Sequence, residues 1–214
     1  MPYPDITSLL LALAASYLLG SIPCGLLLTR AAGLGDIRSI GSGNIGATNV
    51  LRTGNKPIAL LTLLGDFGKG LAAVLIARAV WPDEPMLPAL AALAAVLGHL
   101  FPVWLKFKGG KAVATTLGVL AGLSWPVSLF AALTWLAVAV AFRYSSLAGL
   151  VAVALAPAAM WYAATGFDAA MVLTIAALVW LRHHENIRRL IGGTEPRIGK
   201  RSGGEGPPEA PTAS

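Results

Sequence analysis

The stretch that decides the fold is KAVATTLGVLAGLSWPVSLFAALTWLAVAVAFR, Lys111 to Arg143, which carries no charge between its first and last letters. A membrane-spanning helix needs about 20 apolar residues, so this stretch is too long for one crossing and short for two. Its middle, Ser124-Trp125-Pro126, is where a turn is expected, because proline interrupts helices. The stretch itself leaves both one and two crossings open.

The composition of the chain is that of a membrane protein. Of its 214 residues, 56% are hydrophobic and 12% are charged, roughly half of the charged share of about 25% in ordinary soluble domains. A soluble globule needs a larger polar coat than these charges supply. The single cysteine, Cys24, excludes an internal disulfide and a zinc site built from cysteines.

Four further stretches are long and apolar enough to cross a membrane. They are Ile6 to Thr29, Ile58 to Val80, Leu87 to Leu105 and Ser145 to Leu181. The last is again too long for one crossing. Asp66 and Lys69, three residues apart in the second stretch, are predicted to form an ion pair that faces the inside of the bundle. His99 is predicted to be a structural hydrogen-bonding residue.

The positions of the charges decide how many helices there are. Cytoplasmic loops of membrane proteins are enriched in Lys and Arg. If the loops alternate from the N-terminus, one set lacks Lys and Arg, and the other holds all of the 16 basic residues except Lys69 and Arg78. This alternation requires two helices between Lys111 and Arg143 and two more between Arg143 and Arg182. We therefore predict an all-α polytopic membrane protein with seven transmembrane helices, the N-terminus outside and the C-terminus in the cytoplasm.

Several of these spans are predicted to be short. The last four helices are left with about 12 to 16 residues each, or roughly 18 to 24 Å, so the inner loops are expected to lie partly within the membrane, lined by protein. Residues 1–191 are predicted to form a single transmembrane domain. Residues 192–214 are rich in Gly, Pro, Ser and charge, and we expect a disordered cytoplasmic tail without a role in chemistry.

The first of three polar clusters on the inner side is IGSGNIGATNVLR, Ile40 to Arg52. Small residues let backbone N–H groups approach an anion, hydroxyl groups can donate hydrogen bonds, and arginine can bind phosphate through two nitrogens. The pattern therefore predicts a phosphate-binding loop, although it lacks the GxxxxGK[ST] signature of a P-loop. The alternative is a plain linker between helices. The candidate residues are Ser42, Gly43, Asn44, Thr48 and Arg52.

The second cluster is FKGGK, Phe107 to Lys111, at the start of an apolar helix. Glycine amides, a helix N-terminus and flanking ammonium groups together are suited to binding phosphate. The candidate residues are Lys108, Gly109, Gly110 and Lys111. For the nearby Lys106 we favour contact with lipid headgroups.

The third cluster is RHHENIRRL, Arg182 to Leu190, at the cytoplasmic end of the last span. On a helix, His183 and Asn186 share one face, as do Glu185 and Arg189. A histidine and an amide on one face can orient a hydroxyl group or hold a phosphate. The arginines are otherwise explained by the dipole of the helix end, which favours cations.

Four stretches in this order resemble the bacterial integral-membrane acyl-phosphate:glycerol-3-phosphate acyltransferases, the PlsY family. They are GSIPCGLLLTR (Gly20 to Arg30), GSGNIGATN (Gly41 to Asn49), FKGGKAVAT (Phe107 to Thr115) and HHENIRRL (His183 to Leu190). The resemblance extends to about Glu195. One departure is Ala112, where the family pattern leads us to expect Gly.

The resemblance implies the first acylation of phospholipid synthesis. A long-chain acyl group passes from acyl phosphate to the sn-1 hydroxyl of glycerol 3-phosphate, giving lysophosphatidic acid and inorganic phosphate. It also implies a site on the cytoplasmic side of the bacterial inner membrane. Neither coenzyme A thioesters, acyl carrier protein, a cofactor, a metal nor nucleic acid is expected as a partner, and the oligomeric state stays open.

The resemblance also implies roles for individual residues. By the family's pattern, the acceptor and its phosphate are bound by Ser42, Arg52, Lys111, His183 and Asn186, assisted by the backbone near Gly109 and Gly110. Whether His183 or a substrate phosphate takes the hydroxyl proton is left open.

Other classes of protein fit the sequence less well. A transporter of phosphate or organophosphates also needs basic loops, but many transporters have internal repeats and none is evident here. A lipid acyltransferase with a His-x4-Asp dyad is disfavoured, because no histidine has an aspartate four or five residues further on. A purely structural membrane anchor leaves the polar clusters unexplained.

Overall fold

The computed structural model describes residues 4–199, and within that range it contains helices and loops but no strands. The all-α class is therefore confirmed. The helices are α1 (Ile6–Gly20), α2 (Cys24–Ala31), α3 (Ala47–Val50), α4 (Lys56–Val80), α5 (Leu87–Leu100), α6 (Val113–Leu123), α7 (Trp125–Phe142), α8 (Ser145–Ala163), α9 (Gly166–Arg182) and α10 (His184–Ile191). Single 3-10 turns lie at Ile37–Ser39, Leu51–Thr53 and Val103–Leu105.

The first apolar segment is a broken helix. The side chain of Asp5 accepts hydrogen bonds from the backbone N–H groups of Thr7 and Ser8 and so begins α1. Ser21 and Pro23 lie in the interruption before α2, as expected where proline disrupts the helical hydrogen bonds. Together α1 and α2 form one candidate span of 26 residues.

Both long apolar stretches divide into two helices, as predicted. Helices α6 and α7 meet at Ser124. Helix α9 begins after Thr165, whose side chain and that of Asp168 form a capping box. The predicted lengths are wrong for α7, α8 and α9, which have 18, 19 and 17 residues, because the turns between them take up very few residues. Only α6, with 11 residues, is as short as expected.

The number of crossings is less clearly defined than the number of helices. In residues 4–199, five segments are long and apolar enough to span a membrane, or six if α9 and α10, bent by 61°, count as one. The remaining apolar helix, α6, is roughly 17 Å long at 1.5 Å per residue, against about 30 Å for the hydrocarbon core. Seven crossings and the orientation of the termini stay predictions.

The bundle is held together by close contacts between small residues. Helix α1 packs on α5, α4 on α6, and α8 on both α7 and α9. A Cβ atom at Gly20 would lie 2.0 Å from the carbonyl oxygen of Ala95, so α1 and α5 approach as closely as they do only because this residue is glycine. Large apolar side chains such as Leu133 and Val140 are exposed on the outer surface, where lipid would surround them.

The predicted buried pair in α4 is present. Lys69 Nζ lies 2.9 Å from Asp66 Oδ1 and also donates to the carbonyl oxygen of Ile22, 2.7 Å away, in the break after α1. His99 is buried, and its Nδ1 lies 3.1 Å from Thr115 Oγ1. The hydrogen bond predicted for this histidine inside the bundle is therefore present.

Candidate functional site

Asn49 organises the first polar loop. Its buried amide nitrogen lies 2.8–3.0 Å from the carbonyl oxygens of Ile37, Ile40 and Asn44, which share its two N–H donors. Its Oδ1 accepts from the backbone N–H of Ser42 at 3.1 Å. One side chain therefore links backbone groups along the loop from Ile37 to Asn44. Asn49 is not among the candidate residues predicted from the sequence.

Arg52 lies over the start of this loop. Gly41 has a φ of +57°, and a Cβ atom there would lie 2.7 Å from Arg52 Cδ. Glycine thus provides both the left-handed turn and the space for the arginine. Arg52 is exposed, and in the part of the chain from 4 to 199 no acidic side chain pairs with it. Its guanidinium group is free to bind an anion.

The two glycines of the second cluster do not form the expected cradle. The N–H of Gly109 donates to the carbonyl oxygen of Leu100, and the N–H of Gly110 donates to that of His99, both at 3.1 Å. These amides are already used and cannot bind phosphate in this conformation. A Cβ atom at Gly110 would lie 2.2 Å from His99 Nε2. Glycine is therefore required here for packing, and the predicted role of these amides as phosphate donors is not supported.

The third cluster is not one continuous helix. Helix α9 ends at Arg182, α10 begins at His184, and the two are bent by 61°. The argument that His183 and Asn186 share a face of one helix is wrong for this reason. Both side chains are nevertheless buried, whereas His184 is exposed.

A central polar cluster lies where the second and third clusters meet, and we define it as Lys111, Ser146, Asn186, Arg189 and Glu195. Lys111 Nζ donates to Asn186 Oδ1. Asn186 Nδ2 and Ser146 Oγ donate to Glu195 Oε1 at 2.7 and 2.6 Å, and Arg189 Nε donates to Glu195 Oε2 at 2.7 Å. The amide of Asn186 thus joins an ammonium group to a carboxylate.

Burial and neighbouring charges alter the ionisation of these groups. Burial, with the nearby Arg189, lowers the pKa of Lys111 to about 8. Burial alone would raise the pKa of Glu195, but hydrogen bonds from Ser146, Asn186 and Arg189 outweigh it and lower the pKa. Glu195 is therefore a carboxylate at neutral pH, held by the kinds of donor that bind a phosphate.

His183 lies beside this cluster as a neutral imidazole. Its Nδ1 donates to the carbonyl oxygen of Val179 at 2.7 Å, which leaves Nε2 as the acceptor. Burial is the main cause of the lowered pKa of this residue. The positive charge of Lys111 lowers this pKa further.

The first loop reaches the central cluster through hydroxyl groups. Thr48 Oγ1 lies 3.0 Å from Ser145 Oγ, and Ser145 precedes Ser146 of the cluster. In residues 4–199, Ser42 and Arg52 make no hydrogen bond to the cluster itself. Two of the predicted clusters are thus joined directly, and the first lies next to them.

The remaining residues predicted from the sequence do not belong to the central polar cluster. Gly43, with a φ of +66°, and Asn44 shape the first loop, Asn44 through its backbone carbonyl. Lys108 and Lys106 are exposed. Arg182 stacks on the ring of Phe101 at 5.5 Å from its centre.

Glu195 is the residue that the sequence analysis missed most clearly, since it was placed in a tail without a role in chemistry. Residues 200–214 of that tail lie outside the described residues. The first part does not behave as expected: the backbone N–H groups of Thr194 and Glu195 donate to the carbonyl oxygen of Arg189. One signal was available, because the family resemblance extends to about Glu195.

The arrangement is suited to binding an anionic substrate. It combines an ammonium group, guanidinium groups, hydroxyl groups and an amide with a neutral imidazole that can accept a proton or a hydrogen bond. Among the residues from 4 to 199, no group of three or more His, Cys, Asp and Glu side chains could hold a metal ion.

Comparison with known proteins matches nearly the whole chain. The model of the family described as glycerol-3-phosphate acyltransferase matches residues 10–193. A relative of that name from Cereibacter sphaeroides is 58% identical over 203 residues, covering 93% of this chain and 96% of the relative. Another from Mesorhizobium japonicum is 59% identical over 191 residues, covering 89% and 96%.

Solved structures agree with the sequence relatives. A crystal structure of PlsY, an integral membrane glycerol 3-phosphate acyltransferase, in its glycerol 3-phosphate form has a TM-score of 0.85 with this chain at 41% identity, covering 90% of this chain and 96% of that one. The structure of its lysophosphatidic acid form has a TM-score of 0.83 at 40% identity, with the same coverage.

Proposed function

Because the chain belongs to the glycerol-3-phosphate acyltransferase family of integral membrane enzymes, we propose that it uses a long-chain acyl phosphate as donor and acylates the sn-1 hydroxyl of glycerol 3-phosphate. The products are lysophosphatidic acid and inorganic phosphate. Glycerol 3-phosphate and lysophosphatidic acid are named as the two forms in which the similar PlsY was crystallised. They are the proposed acceptor and product here.

The observation that carries the proposal is the central polar cluster. Three of its side chains donate to a carboxylate, Glu195, and Lys111 and Arg189 add positive charge beside it. The Arg52 loop lies next to this cluster through the contact between Thr48 and Ser145. A phosphate between these elements would meet a guanidinium group on one side and an ammonium group on the other.

The chemistry of the proposed reaction needs little beyond such a site. An acyl phosphate is already an activated mixed anhydride. The sn-1 hydroxyl oxygen attacks the acyl carbonyl carbon, the bond from that carbon to the phosphate oxygen breaks, and phosphate leaves. The protein must hold two anions close together and stabilise the developing negative charge. We assign the acceptor phosphate to Ser42, Arg52 and Lys111.

The hydroxyl proton goes to the leaving phosphate in the proposed mechanism. Burial lowers the pKa of His183, which makes it a weaker base than a phosphate with a second pKa of about 6. With Nδ1 bonded to Val179, Nε2 of His183 is placed to accept a hydrogen bond from the substrate hydroxyl. His183 and Asn186 then orient the acceptor, which accounts for their burial beside Lys111.

The proposed location is the bacterial inner membrane, with the site facing the cytoplasm. It is supported by the basic residues of the loops around the site and the acidic, Lys- and Arg-free loops at Asp83-Glu84 and Asp168. Single cysteines at positions 84, 108 and 168 in a Cys24-free background test this orientation. A membrane-impermeant thiol reagent outside the cell should label 84 and 168 but not 108. Labelling at 108 places the site on the outer face and contradicts the proposal.

The donor is tested with purified protein, glycerol 3-phosphate and either palmitoyl phosphate or palmitoyl coenzyme A. Lysophosphatidic acid should form from palmitoyl phosphate alone, and analysis of the product should find the acyl group at the sn-1 position. Product formed equally well from the coenzyme A thioester refutes the proposed donor. Acylation at the sn-2 position refutes the proposed acceptor group.

A further inference from the structure

Four polar side chains are buried among α4, α5 and α6, away from the central polar cluster. They are Asp66, Lys69, His99 and Thr115. His99 Nδ1 lies 3.6 Å from Asp66 Oδ1 and 3.1 Å from Thr115 Oγ1. Ionisable groups inside a membrane bundle are costly, so their presence calls for a function. Lys69 has a structural function, since it donates to the carbonyl oxygen of Ile22 in the helix break. That contact does not explain why the imidazole of His99 is buried beside the pair.

His99 connects this buried group to the loop that carries Lys111. Its carbonyl oxygen accepts the N–H of Gly110, and the carbonyl oxygen of Leu100 accepts the N–H of Gly109. Its ring lies against Gly110 so closely that a Cβ atom there would be 2.2 Å from Nε2. The next residue is Lys111, which donates to Asn186.

The loop needs to be held because its backbone is strained. Lys106, Phe107 and Ala112 have φ values of +51°, +62° and +61°, in the left-handed region that side chains other than glycine rarely adopt. Such conformations persist only where the surroundings impose them. Contacts with α5 hold the loop from one side, and Arg182 of α9, which donates to the carbonyl oxygen of Gly109 at 3.2 Å, holds it from another.

We propose that His99 is a positioning residue for acyl transfer: held by Thr115, its ring fixes Gly110 and thereby the place of the Lys111 ammonium group beside Asn186. The inference rests on the proposed function, because the position of Lys111 affects the rate only if Lys111 binds the phosphate of the acceptor. The alternative is that the four buried side chains serve only the stability of the bundle.

The space at Gly110 provides the test. Gly110→Ala places a methyl group against the His99 ring and displaces the loop. A displacement of about 1 Å can cost about 10²-fold in rate, so we expect a loss of that order in kcat/KM, with a raised KM for glycerol 3-phosphate. His99→Asn keeps a hydrogen-bonding group near Thr115 but removes the ring atoms that the methyl group meets.

In the His99→Asn background, adding Gly110→Ala should change kcat/KM by no more than about twofold, the scatter expected of independent substitutions. Gly109→Ala is the matched control. Its Cβ atom would meet backbone carbonyl oxygens, that of His99 at 2.1 Å and that of Leu100 at 2.6 Å, which no change of the His99 side chain moves. Gly109→Ala should therefore lower kcat/KM by the same factor in the native and the His99→Asn backgrounds.

Two results overturn the proposal. One is that Gly110→Ala leaves kcat/KM and KM unchanged in the otherwise native protein. The other is that Gly110→Ala lowers kcat/KM by the same factor with and without His99→Asn, as expected if His99 serves stability alone. Size-exclusion elution and Tm in detergent identify variants that lose their fold when they are extracted from the membrane. For these variants, the labelling of Lys111 described next is carried out in native membranes.

A second measurement does not depend on catalysis. The rate at which a small amine reagent modifies Lys111, relative to the exposed Lys106, is read by peptide mass spectrometry. The ratio should change in Gly110→Ala and return to the His99→Asn value in the double variant. An unchanged ratio in Gly110→Ala contradicts the inference. If the native protein makes no lysophosphatidic acid from acyl phosphate, the proposed function fails, and this ratio still tests the role of His99.

Discussion

Replacing Asn186 by alanine removes the link between Lys111 and Glu195. The amide accepts from Lys111 through Oδ1 and donates to Glu195 through Nδ2, at 2.7 Å. Both partners are charged, and a hydrogen bond to a charged group contributes about 1.5–3 kcal/mol. Since water can replace part of each bond in the variant, we take the lower value for both, a total of about 3 kcal/mol, which corresponds to roughly 10²-fold in rate.

The measured quantity is kcat/KM for glycerol 3-phosphate in detergent, with palmitoyl phosphate held in excess. Asn186→Ala should lower it by about 10²-fold, while the protein still elutes as a single species in size exclusion. His184→Ala is the matched control, because His184 precedes Asn186 by two residues but is exposed. Its activity should stay close to that of the native enzyme.

The reasoning is refuted if Asn186→Ala keeps nearly full kcat/KM, because the link between Lys111 and Glu195 then has no part in positioning substrate. It is refuted equally if His184→Ala loses activity and Asn186→Ala does not. In that case the orientation of α10 relative to the site differs from the one described.

The other predictions concern the charged groups around the site. In the proposed mechanism the free enzyme binds phosphate through protonated Lys111, whose pKa is lowered to about 8. On that basis kcat/KM should fall as the pH rises through that value, and Lys111→Arg should move the fall to higher pH. A profile unchanged by this substitution assigns the limb to another group. Arg52→Lys should raise the KM for glycerol 3-phosphate by about 10- to 100-fold, since the proposed bidentate guanidinium contact is lost. Lys106→Ala is the control and should keep a KM near the native value. If both substitutions are tolerated equally, both residues serve only to bind lipid headgroups. His183→Ala should lower kcat/KM strongly. The acidic limb of the pH profile should persist in the residual activity of this variant, because a substrate phosphate titrates in that range. Loss of the limb identifies His183 as the base.

The division of the two long apolar stretches into two helices each was predictable, because it follows from charge and from strong local signals. The turn at Ser124 precedes Pro126, and α9 begins at the Thr165–Asp168 capping box. The helix lengths were not predictable to the same degree, because the alternation of charges limits the number of turns but not their length. The break at His183 was missed because HHENIRRL is compatible with a continuous helix.

The composition of the site was predictable only in part. Lys111, His183 and Asn186 stand in recognisable motifs and lie together. Glu195 was missed because its partner Ser146 is far away in sequence, and only the fold brings the two together.

The interpretation of Gly109 and Gly110 failed for a different reason. A missing side chain can make room for a ligand or for another part of the protein, and the sequence does not distinguish the two. Ala112 shows the converse. The resemblance led us to expect glycine there, and the φ of +61° at this residue gives the physical reason for that expectation.

The central claim is that one site joins the two phosphorylated substrates and couples acyl transfer to the release of phosphate. Phosphorus NMR of purified protein with palmitoyl phosphate and glycerol 3-phosphate follows all four phosphorus species in one sample. The account predicts that inorganic phosphate and lysophosphatidic acid appear one for one, and that neither appears at a comparable rate in Asn186→Ala. Release of phosphate without lysophosphatidic acid would contradict the account. Formation of both products at the native rate in Asn186→Ala would contradict it as well.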